Sequence, residues 1–278
     1  MKRWWIFLFI FLIIGVAWWW LNKPTPFTVT FFDVGEGESA LVQTPSGQNI
    51  LIDGGPSAAV LQKLGGALPW TKRNIDLIIL SHPHADHITG VIKVLERYKV
   101  RQVLTTDVLH TTPEYIAFLK LIKDKKIPLA IARTGQNIKL ASGVSVDILW
   151  PPISYAGQQV DDLNSTSIVN KINFGETSVL FTGDTPIVNE QALITTSTNL
   201  RSQILKVAHQ GSRTSSSEEF LRAVAPEFAV ISVGKDNRFG HPHQEVLERL
   251  KNLSIKIFRT DIDGDISFVS DGKRWAKK

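Results

Sequence analysis

Three histidines and one aspartate directly follow an apolar run in the first third of the chain. The run ends at Leu80, and the polar residues are His82, His84, Asp86 and His87. In an extended segment, positions 82, 84 and 86 point to one side, and a turn at Asp86-His87 would bring the last imidazole round. Imidazoles and a carboxylate at this density are typical ligands of Zn²⁺, Mn²⁺ or iron. Surface loop histidines would not cluster at the end of a buried strand, so the run predicts a metal site.

The pattern of an apolar run followed by a residue of ligand type recurs later in the chain. The three later instances are Val179 to Phe181 before Asp184, Ile204 to Val207 before His209, and Phe228 to Ser232 before His241. The carboxyl ends of parallel strands gather at one edge of a sheet. We therefore expect all four segments to meet at one place, which requires a fold with long parallel sheets.

The absence of cysteine narrows the chemistry. It excludes disulfides, zinc–thiolate sites and thiol nucleophiles. The net charge is +5, but Lys2 and Arg3 precede the first apolar run, and the remaining 29 basic and 26 acidic residues leave only +3. That excess is a weak indication of a polyanionic partner, because nucleic-acid-binding domains are usually more basic. No segment indicates a protein partner.

Residues 1–22 are predicted to be an N-terminal membrane anchor. Trp4 to Leu21 is an uncharged apolar run with tryptophans at both ends. As a helix it would extend about 27 Å at ~1.5 Å per residue, close to the hydrocarbon thickness of a bilayer. Lys2 and Arg3 predict a cytoplasmic N-terminus and an extracellular remainder in the cell membrane. The alternative is a signal peptide cleaved near Gly15-Val16-Ala17, which would leave three tryptophans at the new terminus.

Residues 23–26 form a proline-containing spacer, and 27–278 are predicted to be one domain without repeats or linkers. Apolar alternation and turn residues predict strands at 27–32, 40–43, 49–52, 76–80, 102–104, 144–149, 167–174, 177–181, 204–207, 228–232, 255–258 and 265–269. Helices are predicted at 91–98, 113–126, 218–224 and 244–253. Two strand-rich halves interleaved with helices favour two sheets packed face to face, with helices outside.

The spacing of these residues resembles the metallo-β-lactamase superfamily in its dinuclear hydrolase form. The resemblance rests on His82-x-His84-x-Asp86-His87, Thr182-Gly-Asp184 and His209. It implies an αββα four-layer sandwich over about residues 27–268. Further segments resemble the C-terminal domain of the competence protein ComEC. Proteins with this domain include suspected DNA-processing hydrolases. Those segments are Phe32-Asp-Val-Gly-Glu-Gly-Glu-Ser39, Leu51-Ile-Asp-Gly-Gly55, Ala208-His-Gln-Gly-Ser-Arg-Thr-Ser-Ser-Ser217, and Ile231-Ser-Val-Gly234 with Phe239-Gly-His-Pro242. Phosphorylcholine esterases of the cell surface share the same core.

The resemblance implies two divalent metal ions, Zn²⁺ or Mn²⁺. His82 and His84 would bind one ion, Asp86 and His87 the other, and Asp184 would bridge them. His209 would complete the second site. The metal pair would activate a hydroxide that attacks phosphorus. Asp53, in the Asp-Gly-Gly turn, would orient a ligand histidine through its second ring nitrogen; the alternative is a simple turn residue.

The chain departs from the superfamily pattern at several positions. Many members place a further ligand histidine between the two clusters, but the only histidine between His87 and Asp184 is His110, in a predicted loop. By comparison with the ComEC-like group, Asn164 would approach the first metal there, directly or through water, which favours Mn²⁺. The usual Gly-Gln-Gly-Asp turn reads Gly35-Glu-Gly-Glu38. His241 is expected to contact the substrate phosphate or protonate the leaving oxygen, or else only to cap a helix.

Three functions remain open from the sequence. The leading hypothesis is an extracytoplasmic metal-dependent phosphodiesterase or nuclease that acts on DNA. The second is a surface phosphodiesterase for phosphocholine or teichoic-acid-type esters. The third is a DNA-binding module of an uptake system without catalytic activity. The nearly complete ligand set argues against the third.

Overall fold

The computed structural model describes residues 3–21, 26–69, 73–196 and 199–278. Two sheets make up most of the described chain after residue 26. The strands are β1 Phe27–Phe31, β2 Ala40–Gln43, β3 Asn49–Ile52, β4 Asn74–Ile75, β5 Leu77–Ile79, β6 Lys99–Val100, β7 Val103–Thr105, β8 Leu129–Ile131, β9 Asn137–Lys139, β10 Val144–Trp150, β11 Val169–Phe174, β12 Thr177–Phe181, β13 Ile204–Lys206, β14 Phe228–Ile231, β15 Lys256–Arg259, β16 Ile266–Ser270 and β17 Trp275–Lys277. The helices are α1 Arg3–Leu21, α2 Ala59–Ala67, α3 Ala85–Arg97, α4 Pro113–Asp124, α5 Ile187–Thr195, α6 Glu218–Val224, α7 Gln244–Asn252 and α8 Thr260–Asp263.

The first sheet has eight strands in the order β17-β16-β1-β2-β3-β5-β7-β8, and the second has seven in the order β15-β14-β13-β12-β11-β10-β9. In each sheet one half is parallel: β3, β5, β7 and β8 in the first, and β12 to β15 in the second. A short parallel pair, β4 and β6, lies apart from them. Parallel strands need crossover connections, which the helices supply.

The two sheets pack on each other through an aromatic and aliphatic layer. Phe31 of the first sheet meets Phe181 of the second with ring centroids 5.7 Å apart, and both side chains are almost fully buried. Two further apolar layers cover the outer faces. One packs α2, α3 and α4 on the first sheet, and the other packs α5, α6 and α7 on the second. The result is the predicted αββα sandwich.

Helix α3 shows how the sequence forms these outer layers. Its buried residues Ile88, Val91, Ile92 and Leu95 recur every three or four positions, so they form one apolar stripe. Helix α4 also buries one apolar stripe. It begins with Pro113, which is favourable there because the amides of a first turn have no partner within the helix. The Thr112 side chain accepts a hydrogen bond from the Tyr115 amide and caps this helix.

The N-terminal segment is helical over Arg3–Leu21. In the part of the chain that the structure describes, no helix has the length and apolar character needed to cross a membrane. The predicted transmembrane helix is therefore not confirmed. Residues 1, 2 and 22 of the predicted anchor, and 23–25 of the predicted spacer, lie outside the described residues.

Most predicted elements are present, with shifts of one or two residues at their ends. The main error concerns α3, which was predicted to begin at residue 91 but begins at Ala85. Helices α2 and α5 were missed. Helix α2 contains two consecutive glycines, Gly65 and Gly66, which weaken a helical pattern. Helix α5 ends in threonines and has apolar residues on several sides, so its periodicity is faint.

Candidate metal centre

The predicted ligands meet at one edge of the sandwich, where the parallel halves of both sheets end. Asp53 follows β3 and His82 follows β5 in the first sheet. Asp184 follows β12 and His209 follows β13 in the second. Because each residue comes directly after a parallel strand, the strand register fixes its distance from the others. The segments that lead to His82, Asp184 and His209 were expected to meet, and the contacts below confirm that they do. His241, after the fourth expected segment, lines the same cleft.

Asp86 and His87 lie in the first turn of α3, which corrects the predicted extended segment and turn. They are the second and third residues of the helix, after its N-cap His84, and the His87 ring faces Asp184. The amide of Gly54 donates to the His87 carbonyl over 2.8 Å. A Cβ at Gly54 would lie 2.2 Å from the Val91 nitrogen, so only glycine permits this close approach of the loop to α3.

His82, His87 and Asp184 form the buried base of the site, and with Asp53 we call them the inner cluster. Both histidines are fully buried, and Asp184 is 3% exposed. One nitrogen or oxygen of each of His82, His87 and Asp184 lies within 4.8 Å of the others. Asp184 uses both oxygens: Oδ2 is 3.7 Å from His82 Nε2, and Oδ1 is 3.5 Å from His87 Nε2. A carboxylate between two imidazoles is the arrangement expected of a bridging ligand.

Asp53 holds His87 from behind, as predicted from the Asp-Gly-Gly turn. The ring nitrogen Nδ1 of His87 donates to Asp53 Oδ2 over 2.7 Å, and both groups are fully buried. The Ser81 hydroxyl donates to the same oxygen over 2.6 Å, and the Ser81 amide donates to Oδ1 over 2.7 Å. With Nδ1 engaged, Nε2 of His87 is the nitrogen that faces Asp184. A carboxylate behind a ligand histidine is typical of metal sites.

Three predicted ligands, His84, Asp86 and His209, lie above the inner cluster and line an open cleft of about 400 Å³. His84 Nδ1 is 2.9 Å from His82 Nε2, which pairs these two imidazoles as predicted. Asp86 Oδ2 is 3.6 Å from His87 Nε2, and His209 Nε2 is 3.7 Å from Asp184 Oδ2. All six predicted metal ligands therefore form one continuous group.

The charges of this group depend on burial and on the three carboxylates. Burial holds the pKa of His82 well below its usual value, and burial also lowers the pKa of His84. Burial works against a proton on His87 too, but Asp184, Asp86 and Asp53 outweigh it and raise its pKa. Burial alone would raise the pKa of Asp184, and the surrounding histidines lower it instead. Neutral His82 and His84 beside the ionised Asp184 are suitable donors for a divalent cation, and a cation bound at His87 would displace the proton of that ring.

Two buried donor atoms without a hydrogen-bond partner indicate whether the site fits a metal ion. His87 Nε2 and Asp184 Oδ1 are both buried and without a hydrogen-bond partner in the described structure, although they lie 3.5 Å apart. Unpartnered buried polar atoms are rare and costly. The donors are nitrogen and oxygen, without sulfur, which suits Zn²⁺, Mn²⁺ or iron. The residues present therefore fit a divalent metal, and they offer enough donors for two ions.

The remaining predicted site residues are placed as follows. His241 lines the cleft, with its ring centroid 5.5 Å from that of His209. Burial, together with His209 and His243, lowers the pKa of His241 to about 4. Asn164 has no recorded contact with the metal ligands, although its Oδ1 is buried and unpartnered among the described residues. His110 lies in a loop, where Nδ1 is 2.9 Å from the Thr112 hydroxyl.

Sequence reasoning missed several residues that support the ligands. The Ser167 hydroxyl accepts from the Asp184 amide over 3.1 Å and lies 3.3 Å from His82 Nδ1, so it links the two sheets. The Gln210 amide nitrogen donates to Asp86 Oδ2 over 3.1 Å. Gln210 lies in the same turn as His209, which has a left-handed φ of 48°.

A buried ion pair beneath the ligands was also missed. The ammonium of Lys206, at the end of β13, donates to Glu38 Oε2 over 2.7 Å and to the Val207 carbonyl over 3.0 Å. Lys206 and Glu38 are at most 1% exposed. The Glu38 amide donates to the Asp86 carbonyl over 3.3 Å. The pair thus joins the loop before β2 to the strand that leads to His209.

Comparison with known proteins agrees with this geometry. The family model described as the metallo-beta-lactamase superfamily matches residues 33–154. ComE operon protein 3 of Bacillus subtilis is 27% identical over 262 residues, which cover 86% of this chain and 32% of that protein. Competence protein ComA of Neisseria gonorrhoeae is 31% identical over 242 residues, which also cover 86% and 32%. The chain thus spans about a third of the length of these relatives.

A solved structure shows the same fold. A metallo hydrolase from the archaeon Ignicoccus hospitalis superposes with a TM-score of 0.55 at 18% identity, covering 88% of this chain and all of that one. This likeness shows a shared fold, and the candidate ligands described above lie within it. Residues 33–154 match the metallo-β-lactamase superfamily, and the homologues of the chain are ComEC-like competence proteins.

Proposed function

We propose that this domain is a dinuclear, metal-dependent phosphodiesterase that cleaves DNA. The observation that carries the proposal is the single group formed by His82, His84, Asp86, His87, Asp184 and His209, with unpartnered donor atoms at its base and an open cleft above. The likeness to competence proteins favours DNA among phosphodiesters.

The metal ligands would form two sets, one for each ion. His82 and His84 would hold one Zn²⁺ or Mn²⁺ ion, Asp86, His87 and His209 the other, and Asp184 both. Such ions supply an activated water and neutralise charge on the phosphate oxygens. Asp53 would keep the His87 ring in place, and Gln210 would orient Asp86. His241, on the cleft wall beside His209, would donate a hydrogen bond to the substrate phosphate or a proton to the leaving oxygen.

Asn164 is a further proposed ligand of the first metal, directly or through water. Its neighbour Ser167 already contacts His82 and the Asp184 amide, which places the 3₁₀ turn Asn164–Thr166 beside the inner cluster. The buried, unpartnered Oδ1 supports this assignment. Loss of one Mn²⁺ equivalent in Asn164→Ala, measured by calorimetric titration, is the expected result. An unchanged titration would contradict it.

We also propose that the N-terminal helix holds the domain at the outer face of the cell membrane. Phe7, Leu8, Phe9 and Phe11 each expose more than 60% of their surface along this helix. Apolar side chains that are so exposed are suited to a lipid environment. Recovery of the full chain in the membrane fraction, with the domain digested by protease added outside intact cells, would support this location. Recovery in the soluble fraction would contradict it.

The test of function uses the full chain with Mn²⁺ or Zn²⁺ beside the Asp86→Ala variant. The proposal predicts metal-dependent cleavage of single-stranded DNA that Asp86→Ala abolishes. Hydrolysis of phosphocholine or teichoic-acid-type esters without DNA cleavage would favour a surface esterase instead. DNA binding without any hydrolysis would favour a non-catalytic module. Failure to bind metal would contradict both enzymatic functions.

A further inference from the structure

The loop between β14 and α7 forms one wall of the metal cleft. We call residues 235–241 the rim loop. Arg238, Phe239 and His241 of this loop line the cleft together with the ligands His84 and Asp86. A molecule that reached the metal ligands would therefore contact the rim loop as well.

Phe239 is unusual because a large aromatic side chain is left in solvent at the mouth of the cleft. It exposes 60% of its surface, and every other phenylalanine in residues 26–278 is buried or only partly exposed. One face stacks on His241, with ring centroids 5.8 Å apart and an interplanar angle of 27°. Burying a phenylalanine is favourable, so the free protein gives up stabilisation by leaving this ring in solvent.

The rim loop is held in a defined shape by Asn237. The Asn237 amide nitrogen donates to the carbonyls of Gly234, over 3.1 Å, and His241, over 2.7 Å. The Asn237 side-chain oxygen accepts from the His241 amide over 2.8 Å. Phe239 lies within the segment that these bonds close. A platform fixed in this way loses little conformational entropy when a ligand stacks on it.

The charges beside Phe239 indicate what kind of ligand fits. Lys235 and Arg238 are exposed in the rim loop and outnumber its one acid, Asp236. A guanidinium matches a phosphate in geometry and charge. An aromatic ring beside a phosphate-binding arginine is the combination that proteins use to bind unpaired nucleotides.

We propose that Phe239 and Arg238 form a subsite for an unpaired nucleotide next to the scissile phosphate. The base stacks on Phe239, and an adjacent phosphate pairs with Arg238. In a duplex both faces of a base are covered by its neighbours, so the subsite selects single strands. This inference rests on the proposed phosphodiesterase function and adds the strand preference and the residues responsible.

The main rival ligand is a choline ester, since quaternary ammonium groups also bind over aromatic rings. Glu36 lines the same cleft and would attract a cation. Phe239 is, however, a single ring and not a cage, and Arg238 beside it would repel a cation. The arginine therefore favours the nucleotide.

The test measures binding without catalysis, so that it does not depend on hydrolysis. The full chain, treated with EDTA, is titrated into fluorescein-labelled oligothymidylate or a duplex of the same length, and anisotropy is recorded. Phe239→Ala should weaken single-strand binding by about 5- to 150-fold, the equivalent of about 1–3 kcal/mol per stacked base. Phe239→Trp should retain it. Arg238→Ala should reduce the salt dependence of binding by about one phosphate contact.

The control is Ile262→Ala, which removes an apolar side chain that is 70% exposed and does not line the cleft. This variant should bind oligothymidylate with an affinity within about twofold of wild type, as expected for a surface substitution. Equal losses for duplex and single strand in Phe239→Ala, or no loss, would overturn the subsite. A loss of affinity for phosphocholine but not for oligothymidylate would assign Phe239 to a cation. If wild type binds oligothymidylate through Phe239 but cleaves no phosphodiester, the proposed function fails and the subsite remains.

Discussion

The inner cluster and the rim loop lie in the same cleft but are built in opposite ways. Apart from His87, which lies in α3, the residues of the inner cluster follow parallel strands of the two sheets. The cluster is almost fully buried, and Ser81 and Ser167 tie it to the fold. The rim loop is exposed and is closed on itself by Asn237. The difference implies that the chemistry is fixed by the sandwich, whereas the choice of substrate resides in one loop.

The largest effect is expected at Asp184, which links both histidines of the inner cluster. Asp184→Asn removes the charge between His82 and His87, so metal-dependent hydrolysis should fall by more than the roughly 10- to 100-fold typical of residues that only orient a ligand. The turnover of a phosphodiester substrate measures this. Asp124→Asn, in an exposed ion pair with Lys120, is the control and should keep full activity. If Asp184→Asn kept its activity, the inner cluster would not be the part of the cleft that carries the chemistry.

The Glu38–Lys206 pair tests whether the base of the cleft is rigid. Removing one partner leaves a buried charge unpaired, so Glu38→Gln or Lys206→Met should lower the free energy of unfolding by about 3–5 kcal/mol. The double variant should recover much of that loss, because neither charge then remains. Chemical denaturation of the four proteins measures the effect. Lys93→Met, in an exposed pair with Glu96, should cost at most about 1 kcal/mol. Equal losses for the buried and exposed pairs would contradict a rigid base.

Asp53→Asn should weaken metal binding by about 10- to 100-fold, because asparagine cannot hold the His87 ring by a charged hydrogen bond. Asparagine tolerates the left-handed φ of 53° at this position, so the backbone should remain unchanged. Calorimetric titration with Mn²⁺ measures the change. Asp76→Asn, before β5 and therefore at its opposite end, serves as the matched variant and should bind metal like wild type. A normal metal affinity in Asp53→Asn would make Asp53 a turn residue only.

The smallest effect is expected in the rim loop. Asn237→Ala removes the side-chain bonds that close the loop, which should lower stability by only about 1 kcal/mol. Oligothymidylate affinity should nevertheless fall, because Phe239 loses its fixed position, while metal affinity should not change. Parallel thermal unfolding, anisotropy and metal titration separate these effects. A loss of metal binding would show that the loop and the inner cluster are not independent.

The sequence predicted Asp53, His82 and Asp184 of the inner cluster well because each follows an apolar strand. The same reasoning failed for Asp86 and His87, since the apolar period of α3 becomes visible only from Ile88. Their placement in the first turn of the helix brings Asp86 Oδ2 within 3.6 Å of His87 Nε2, the nitrogen that faces Asp184. A helix that begins on polar ligands gives little periodic signal in its first turn.

Contacts between distant residues could not be predicted from the sequence. Glu38 and Lys206 are 168 positions apart, and Ser167 and His82 are 85 apart. A glutamate, a lysine and a serine in those segments look like ordinary surface residues until the sheets are stacked. The exposure of Phe239 was also unpredictable, because an aromatic residue beside Gly240 is as typical of a packed loop as of a binding surface.

The central proposal is that the inner cluster and the cleft ligands above it hold two metal ions. Elemental analysis of the full chain after dialysis against Mn²⁺ or Zn²⁺ measures this directly, with Asp184→Asn in parallel. We expect two ions per chain in wild type and fewer than one in Asp184→Asn, because Asp184 lies beside His82, His87 and His209. A wild-type chain without metal, or an Asp184→Asn chain with as much metal as wild type, would contradict it.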